Sequence, residues 1–332
     1  MNPFLMTLAA AFVLAFPTAP VNAADATATG VPRRFVNQKF QLDRDDVVAW
    51  IGGTDVAAAL HSGHLESLLA AANRGRQIRF RNFGWEGDTV FDQPRDVGFP
   101  PLTNHLEKAG ATVILIQFGR AEALEGRTSM PRFRTAYERL IDSCTRRTQC
   151  IVLVTPPPFE NAAAPLPDLS ARNVDLAAFV EVIRALARER ELPLVDLFAE
   201  LGGEKHRGPL VTQDGLQLSP RGHALVAQAF AKQIGLGNIA RHAGEPTASG
   251  AWADAGFERV RATVIEKNKL WFNYWRPQNW AFLGGDRTSQ PSSRDHRDPK
   301  VRWFPAEMEK FVPLIQQAEA RIEVEAGKIS LP

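Results

Sequence analysis

Two cysteines, Cys144 and Cys150, are all that 332 residues contain. So few thiols exclude a disulfide-built scaffold and a thiolate metal cluster. The pair could still close a short loop in an exported protein, or stand as free thiols at a helix end and a strand start. No apolar run reaches the roughly 20 residues that a bilayer span requires. No long basic run occurs, and the formal net charge is only +2. Nucleic acid is therefore not an expected partner. No internal repeat is evident.

What is present is ordinary for a globular protein: 45% hydrophobic and 23% charged residues. The length suits one large domain with an appendage, or two domains. Leu5 to Phe16 forms a short apolar run, broken by Pro17 and Pro20. Val21-Asn22-Ala23 then sets small residues at the −3 and −1 positions of a cleavage site. Residues 1–23 are expected to be a signal peptide, with Ala24 starting a mature protein in the periplasm or beyond. The alternative is a short membrane anchor. No Cys follows the cleavage point, so a lipid anchor there is not expected.

After a polar linker, residues 24–44, apolar runs begin to alternate with helical periodicity. The expected strands are Val47–Ile51, Gln77–Phe83, Thr112–Phe118, Ile151–Val154 and Pro193–Phe198. The expected helices are Val56–Ala72, Phe133–Cys144, Val174–Glu191 and Pro220–Ile234, the last with Ser219 as N-cap and Pro220 at its first position. Strands alternating with helices predict a five-stranded parallel sheet with right-handed crossovers. The site should then lie at the carboxyl ends of the strands. Residues 45–236 are read as this domain. Residues 237–332 are read as a helical, Trp-rich C-terminal extension, with helices over Phe257–Asn273 and Pro305–Ile322.

Those strand ends carry Gly52-Gly53-Thr54, then Asn82-Phe83-Gly84-Trp85-Glu86-Gly87-Asp88-Thr89, then Gly119-Arg120-Ala121-Glu122, then Asp214-Gly215-Leu216-Gln217 with Gly222-His223 behind it. This order resembles the four blocks of the SGNH/GDSL hydrolases: G-D-S, N-x-G-x-x-G-D-T, G-x-N-D and D-G-x-H. With its tail, the chain resembles exported SGNH-like proteins of planctomycete-type bacteria. The resemblance implies a flavodoxin-like three-layer α/β/α SGNH hydrolase fold, ester hydrolysis, and no cofactor or metal. It also assigns catalytic positions to Thr54, Gly87 and Asp214.

The chemistry at those positions is depleted. Thr54 stands where the family has its serine nucleophile, and a threonine needs both a base and room for its methyl group. Gly53 replaces the preceding aspartate. Ala121 replaces the asparagine that donates to the oxyanion, a loss that typically costs about 10²–10³ in rate. Gln217 replaces the histidine, and an amide is no general base near neutral pH. Asp214 has no imidazole to orient. Gly87 keeps one backbone N–H donor.

Other candidates were weighed beside these. His223 reads as a histidine packed in the helix begun at Pro220. His61 and His64 read as facing solvent or a partner, and His105 and His206 as scattered surface histidines. Glu122 either bonds backbone at the strand end or faces the cleft as a substrate-binding carboxylate. Trp85 is placed to face a ligand. The tail aromatics around Trp271, Trp275 and Trp280 either anchor the extension or stack on carbohydrate.

The expectation is an exported SGNH/GDSL protein with a non-hydrolytic or impaired site, whose cleft binds a glycan or an acylated small ligand. The alternatives are an active esterase or carbohydrate deacetylase using Thr54 or a compensating base, and an envelope interaction protein.

Overall fold

In the computed structural model, which describes residues 35–36 and 39–331, five strands form one parallel sheet. They are β1 (Val47–Gly52), β2 (Arg79–Asn82), β3 (Val113–Gln117), β4 (Ile151–Val154) and β5 (Leu194–Val195). Their order is β2-β1-β3-β4-β5, every neighbouring pair parallel. This is the doubly wound, flavodoxin-like order, whose switch point lies between β1 and β3. The expected signal peptide lies outside the described residues.

Each central strand is buried on both faces, and its alternate residues feed two cores. Val48, Trp50, Leu115 and Val152 face one. Ala49, Ile51, Ile114 and Leu153 face the other. Helices α1 (Thr54–Ser62), α2 (His64–Ala72) and α6 (Pro220–Gln233) lie with the first core. Helices α3 (Leu102–Ala109), α4 (Met130–Thr145) and α5 (Asn173–Glu189) cover the second. The result is the three-layer α/β/α sandwich. Cys144 packs in one core and Cys150 in the other, so the two do not bridge a loop to each other.

Several boundaries differ from the sequence reading, each for a local reason. The single helix expected over Val56–Ala72 is two, divided at Gly63, which adopts a left-handed φ of 68°. A Cβ there would lie 3.1 Å from Val264 of a C-terminal helix, so the break admits close packing. The strand expected over Pro193–Phe198 stops at Val195, because the Asp196 side chain accepts the Ala199 N–H and caps a short helical turn. Ser219 caps α6 as expected, accepting from Gly222 N at 2.9 Å. Before β1, Phe40 and Leu42 are already buried in the first core.

The C-terminal region is helical: α7 (Gly237–Ala243), α8 (Ala255–Trp275), α9 (Trp303–Glu309) and α10 (Phe311–Gly327). Helix α8 lies along the free edge of β2. Two of its residues, one turn apart, donate to edge carbonyls: Lys267 Nζ to Phe80 O at 3.0 Å and Trp271 Nε1 to Asn82 O at 2.8 Å. An uncovered edge invites pairing with another chain, and these donors occupy the acceptors. Lys267 is fully buried and pairs with Glu66 of α2 at 2.8 Å. Among the described residues, no helix is long and apolar enough to cross a membrane.

Candidate functional site

The four motif blocks converge on a small cleft at the carboxyl ends of β1 and β3. Its free volume is about 90 Å³, and Thr54, Ala121 and Gln217 all line it. That is below the several hundred Å³ of a pocket for a drug-sized ligand.

Thr54 opens α1 and is exposed, its hydroxyl accepting from Gly87 N at 3.2 Å. Gly87 presents that N–H from a left-handed turn with φ of 79°. The nucleophile position and the surviving backbone donor are thus adjacent. Gly53 has a steric role. A Cβ at this position would sit 2.5 Å from the carbonyl oxygen of Asp88. The second-block loop therefore occupies space that an aspartate side chain would need. Asn82 of the same block is structural: it donates to Val56 O at 2.6 Å and accepts from Gly84 N at 2.8 Å.

The carboxylates around the cleft are all engaged. Glu122 is 1% exposed, and its two oxygens accept from Val90 N at 2.6 Å and Gly119 N at 2.8 Å. Burial holds its carboxyl above the ordinary range, against those two N–H groups. This is the backbone-bonding arrangement, with one N–H on each oxygen and almost no exposure. Asp88 forms a bidentate pair with Arg95 at 2.7 and 2.6 Å. Asp55 pairs with Arg120 at 2.9 Å, and Arg120 also donates to Pro158 O. Asp214 closes its own turn, its Oδ1 accepting from Thr212 Oγ1, Leu216 N and Gln217 N. Slight burial opposes its ionisation, but those donors prevail and hold it below the usual carboxylate range.

Among the described residues that line the cleft there is no histidine. His223 lies beside a small cavity of about 30 Å³ that Asp55 and Gln117 also line. Burial lowers its pKa to about 4, with the Asp55 charge acting the other way. His64, read as facing solvent or a partner, is instead buried: its ring Nε2 donates to Gly250 O at 2.6 Å and packs edge-on to Trp252. The sequence could not foresee this, because both partners lie in the C-terminal region. His105 is half-buried in α3 among Phe83, Phe99 and Trp275. His206, read as a surface histidine without a carboxylate, meets Glu160 at 2.6 Å and donates from Nδ1 to Leu201 O. Both departures have the same cause, partners far off in the chain. Among the described residues, no three His, Cys, Asp or Glu side chains group as metal ligands.

Trp85 does not line the cleft. Two guanidinium groups cover its ring, Arg95 at 4.1 Å and Arg276 at 3.8 Å, and Phe99 and Trp275 meet it edge to face. Arg276 also pairs with Glu86 at 2.8 Å, so the end of α8 braces the second-block loop. Trp271 and Trp275 are buried and serve as anchors. The sequence reading missed Arg120, Arg95 and Arg276. The opposite charges directly following Thr54 and Gly119 were a usable signal for Asp55 and Arg120. Nothing local could have signalled Arg276.

Residues 52–225, just over half of the chain, match the GDSL-like lipase/acylhydrolase family. No curated protein matches the chain. Among solved structures, a catalytic mutant of an acetylxylan esterase from Geobacillus stearothermophilus is similar, with 17% identity over 58% of this chain and 96% of that one, at a TM-score of 0.46. A lipase/acylhydrolase from Enterococcus faecalis shares 20% identity over 57% and 95%, at 0.44. A gut microbial diltiazem-metabolizing enzyme shares 12% over 86% and 95%, at 0.48.

Proposed function

The chain belongs to the GDSL-like lipase/acylhydrolase family, and we propose that its cleft binds a small acylated ligand or a glycan without turning over an ester. One observation carries this reading. Among the described residues that line the cleft there is no histidine, lysine, cysteine or tyrosine. The carboxylates there are spent: Asp55 on Arg120, Asp88 on Arg95, Glu122 on two backbone N–H groups. Thr54 therefore has no base within the cleft to take its proton, and hydroxyl nucleophiles depend on one. The oxyanion retains Gly87 N–H but loses the side-chain donor at Ala121. The proposal includes export to the periplasm or beyond, on the strength of the N-terminal pattern alone.

The test is hydrolysis of nitrophenyl acetate and acetylated xylo-oligosaccharides by the purified protein, with Thr54→Ala beside it. The expected result is no turnover above the variant. Combining Thr54→Ser, Ala121→Asn and Gln217→His should then raise the rate by about 10²-fold or more, since it restores nucleophile, donor and base together. Wild-type turnover that Thr54→Ala abolishes would overturn the proposal.

A further inference from the structure

Arg276 follows the last residue of α8 and lies outside residues 52–225, which carry the family match. It nevertheless meets the loop that brings Gly87 to Thr54. That loop is the turn Trp85-Glu86-Gly87-Asp88, closed by Asp88 N donating to Trp85 O at 3.1 Å. Gly87 holds its third position with a φ of 79°, as a type II turn requires. Glu86 and Gly87 are both exposed at its tip. The ψ of Glu86 and the φ of Gly87 set where the Gly87 N–H points, and glycine takes either sign of φ with little preference. The tip residues do not fix that direction by themselves.

The side chains on either side of the tip are tied down. Arg276 pairs with the Glu86 carboxylate at 2.8 Å, and its guanidinium lies 3.8 Å from the centre of the Trp85 ring. Arg95 repeats the arrangement on the other neighbour of Gly87. It holds Asp88 through two bonds, at 2.7 and 2.6 Å, and lies 4.1 Å from the centre of the same ring. Gly87 thus stands between two carboxylates, each closed by an arginine that also packs on Trp85. Phe99 and Trp275 fix that ring edge to face. Arg95 comes from the same stretch of chain as the turn, whereas Arg276 arrives 190 residues after Glu86. A planar guanidinium can bond a carboxylate and cover an indole at once, and an ammonium, a point charge, does this poorly.

We propose that Arg276 is a positioning residue for the Gly87 N–H, which makes the C-terminal region a working part of the Thr54 cleft. The inference rests on the reading of that cleft as the site. The test is amide hydrogen exchange of Gly87 in the full protein, isotope-labelled at glycine. Arg276→Gln should speed exchange at Gly87 by about 10-fold or more, while Gly222 in α6 keeps its rate. Arg276→Lys should not restore the wild-type rate, because it keeps the charge and loses the plane. Glu86→Gln should act in the same direction as Arg276→Gln, and its exposed side chain keeps the test decisive if the arginine variant misfolds. Arg261→Gln is the control: it cuts the bond from α8 to Ser62 O, at 2.9 Å, and should leave Gly87 as wild type. In the combined Thr54→Ser, Ala121→Asn and Gln217→His background, adding Arg276→Gln should lower kcat by about 10-fold or more at unchanged KM, since this donor acts in the transition state. Unchanged exchange at Gly87 in both Arg276→Gln and Glu86→Gln overturns the proposal. So does an equal rise in Arg261→Gln, or a rise at Gly222 matching that at Gly87, either of which makes Arg276 an anchor of the helix alone. Ester turnover by the wild type would overturn the proposed function and leave the exchange result to decide this inference.

Discussion

The Thr54 cleft and the seam between α8 and the sheet edge both carry polar side chains, with opposite degrees of dependence on them. In the cleft, two positions that the family uses for chemistry, Thr54 and Gln217, are exposed and lightly bonded. Thr54 has one hydrogen bond, at 3.2 Å, and Gln217 meets its surroundings through its backbone. In the seam, Lys267 and Glu66 are buried against one another and Trp271 is tied to Asn82. The motif is what sequence comparison sees, but the seam holds the molecule together. Residue type alone does not reveal which polar groups matter; the number of partners and the burial do.

The sharpest test of that contrast is Lys267→Ala. It would leave Glu66 as an unpaired buried carboxyl and free the Phe80 carbonyl. Burial already pushes the Glu66 carboxyl up and the Lys267 ammonium down, each opposed by its partner. The loss should be about 3–5 kcal/mol in urea unfolding, the usual cost of breaking a buried pair. Replacing both partners, Lys267→Met with Glu66→Leu, should recover most of it. A loss for Lys267→Ala no larger than a surface substitution would break the comparison.

A smaller effect, from the contact between α2 and the segment before α8, should appear with pH. Burial lowers the pKa of His64 from 6.5 to about 4, against the bond to Gly250 that favours the charged form. The unfolded chain takes up a proton below pH 6.5 and the folded one does not until about pH 4. Stability tied to neutral His64 is thus present above 6.5 and lost as pH falls toward 4. The full difference is roughly 3 kcal/mol. His64→Gln keeps an N–H donor for Gly250 and removes the titration. Its unfolding free energy should fall less steeply than wild type over that window. Parallel slopes would show that His64 is not held neutral.

The sheet was legible because buried parallel strands are continuous apolar runs, and Thr112–Phe118 and Ile151–Val154 could be little else. The cleft was legible as a place, since strand ends and motif order agree. The replacements in it were legible only by position, at Thr54, Ala121 and Gln217. What the sequence hid were partners distant along the chain. The Arg276 guanidinium over Trp85, Gly250 on His64 and Glu160 on His206 each join segments dozens to hundreds of residues apart. The break at Gly63 was hidden for the same reason, because its cause, Val264, lies in a later helix. Local pattern reports which face of an element is apolar. It does not report which polar group another element will deliver to it.

The smallest expected effect closes the contrast from the cleft side. Thr54→Ala removes a hydroxyl that accepts one long bond from Gly87 N, at an exposed site where water can take its place. The change in unfolding free energy should stay within about 0.5 kcal/mol. If Thr54→Ala cost as much as a buried polar group, the hydroxyl would be a structural fastener for the second-block loop, and the turnover assay could no longer use that variant as a clean blank. A near-zero cost would mean that nothing in the fold demands a hydroxyl at Thr54. Any reason for keeping one would then have to lie in what the cleft binds.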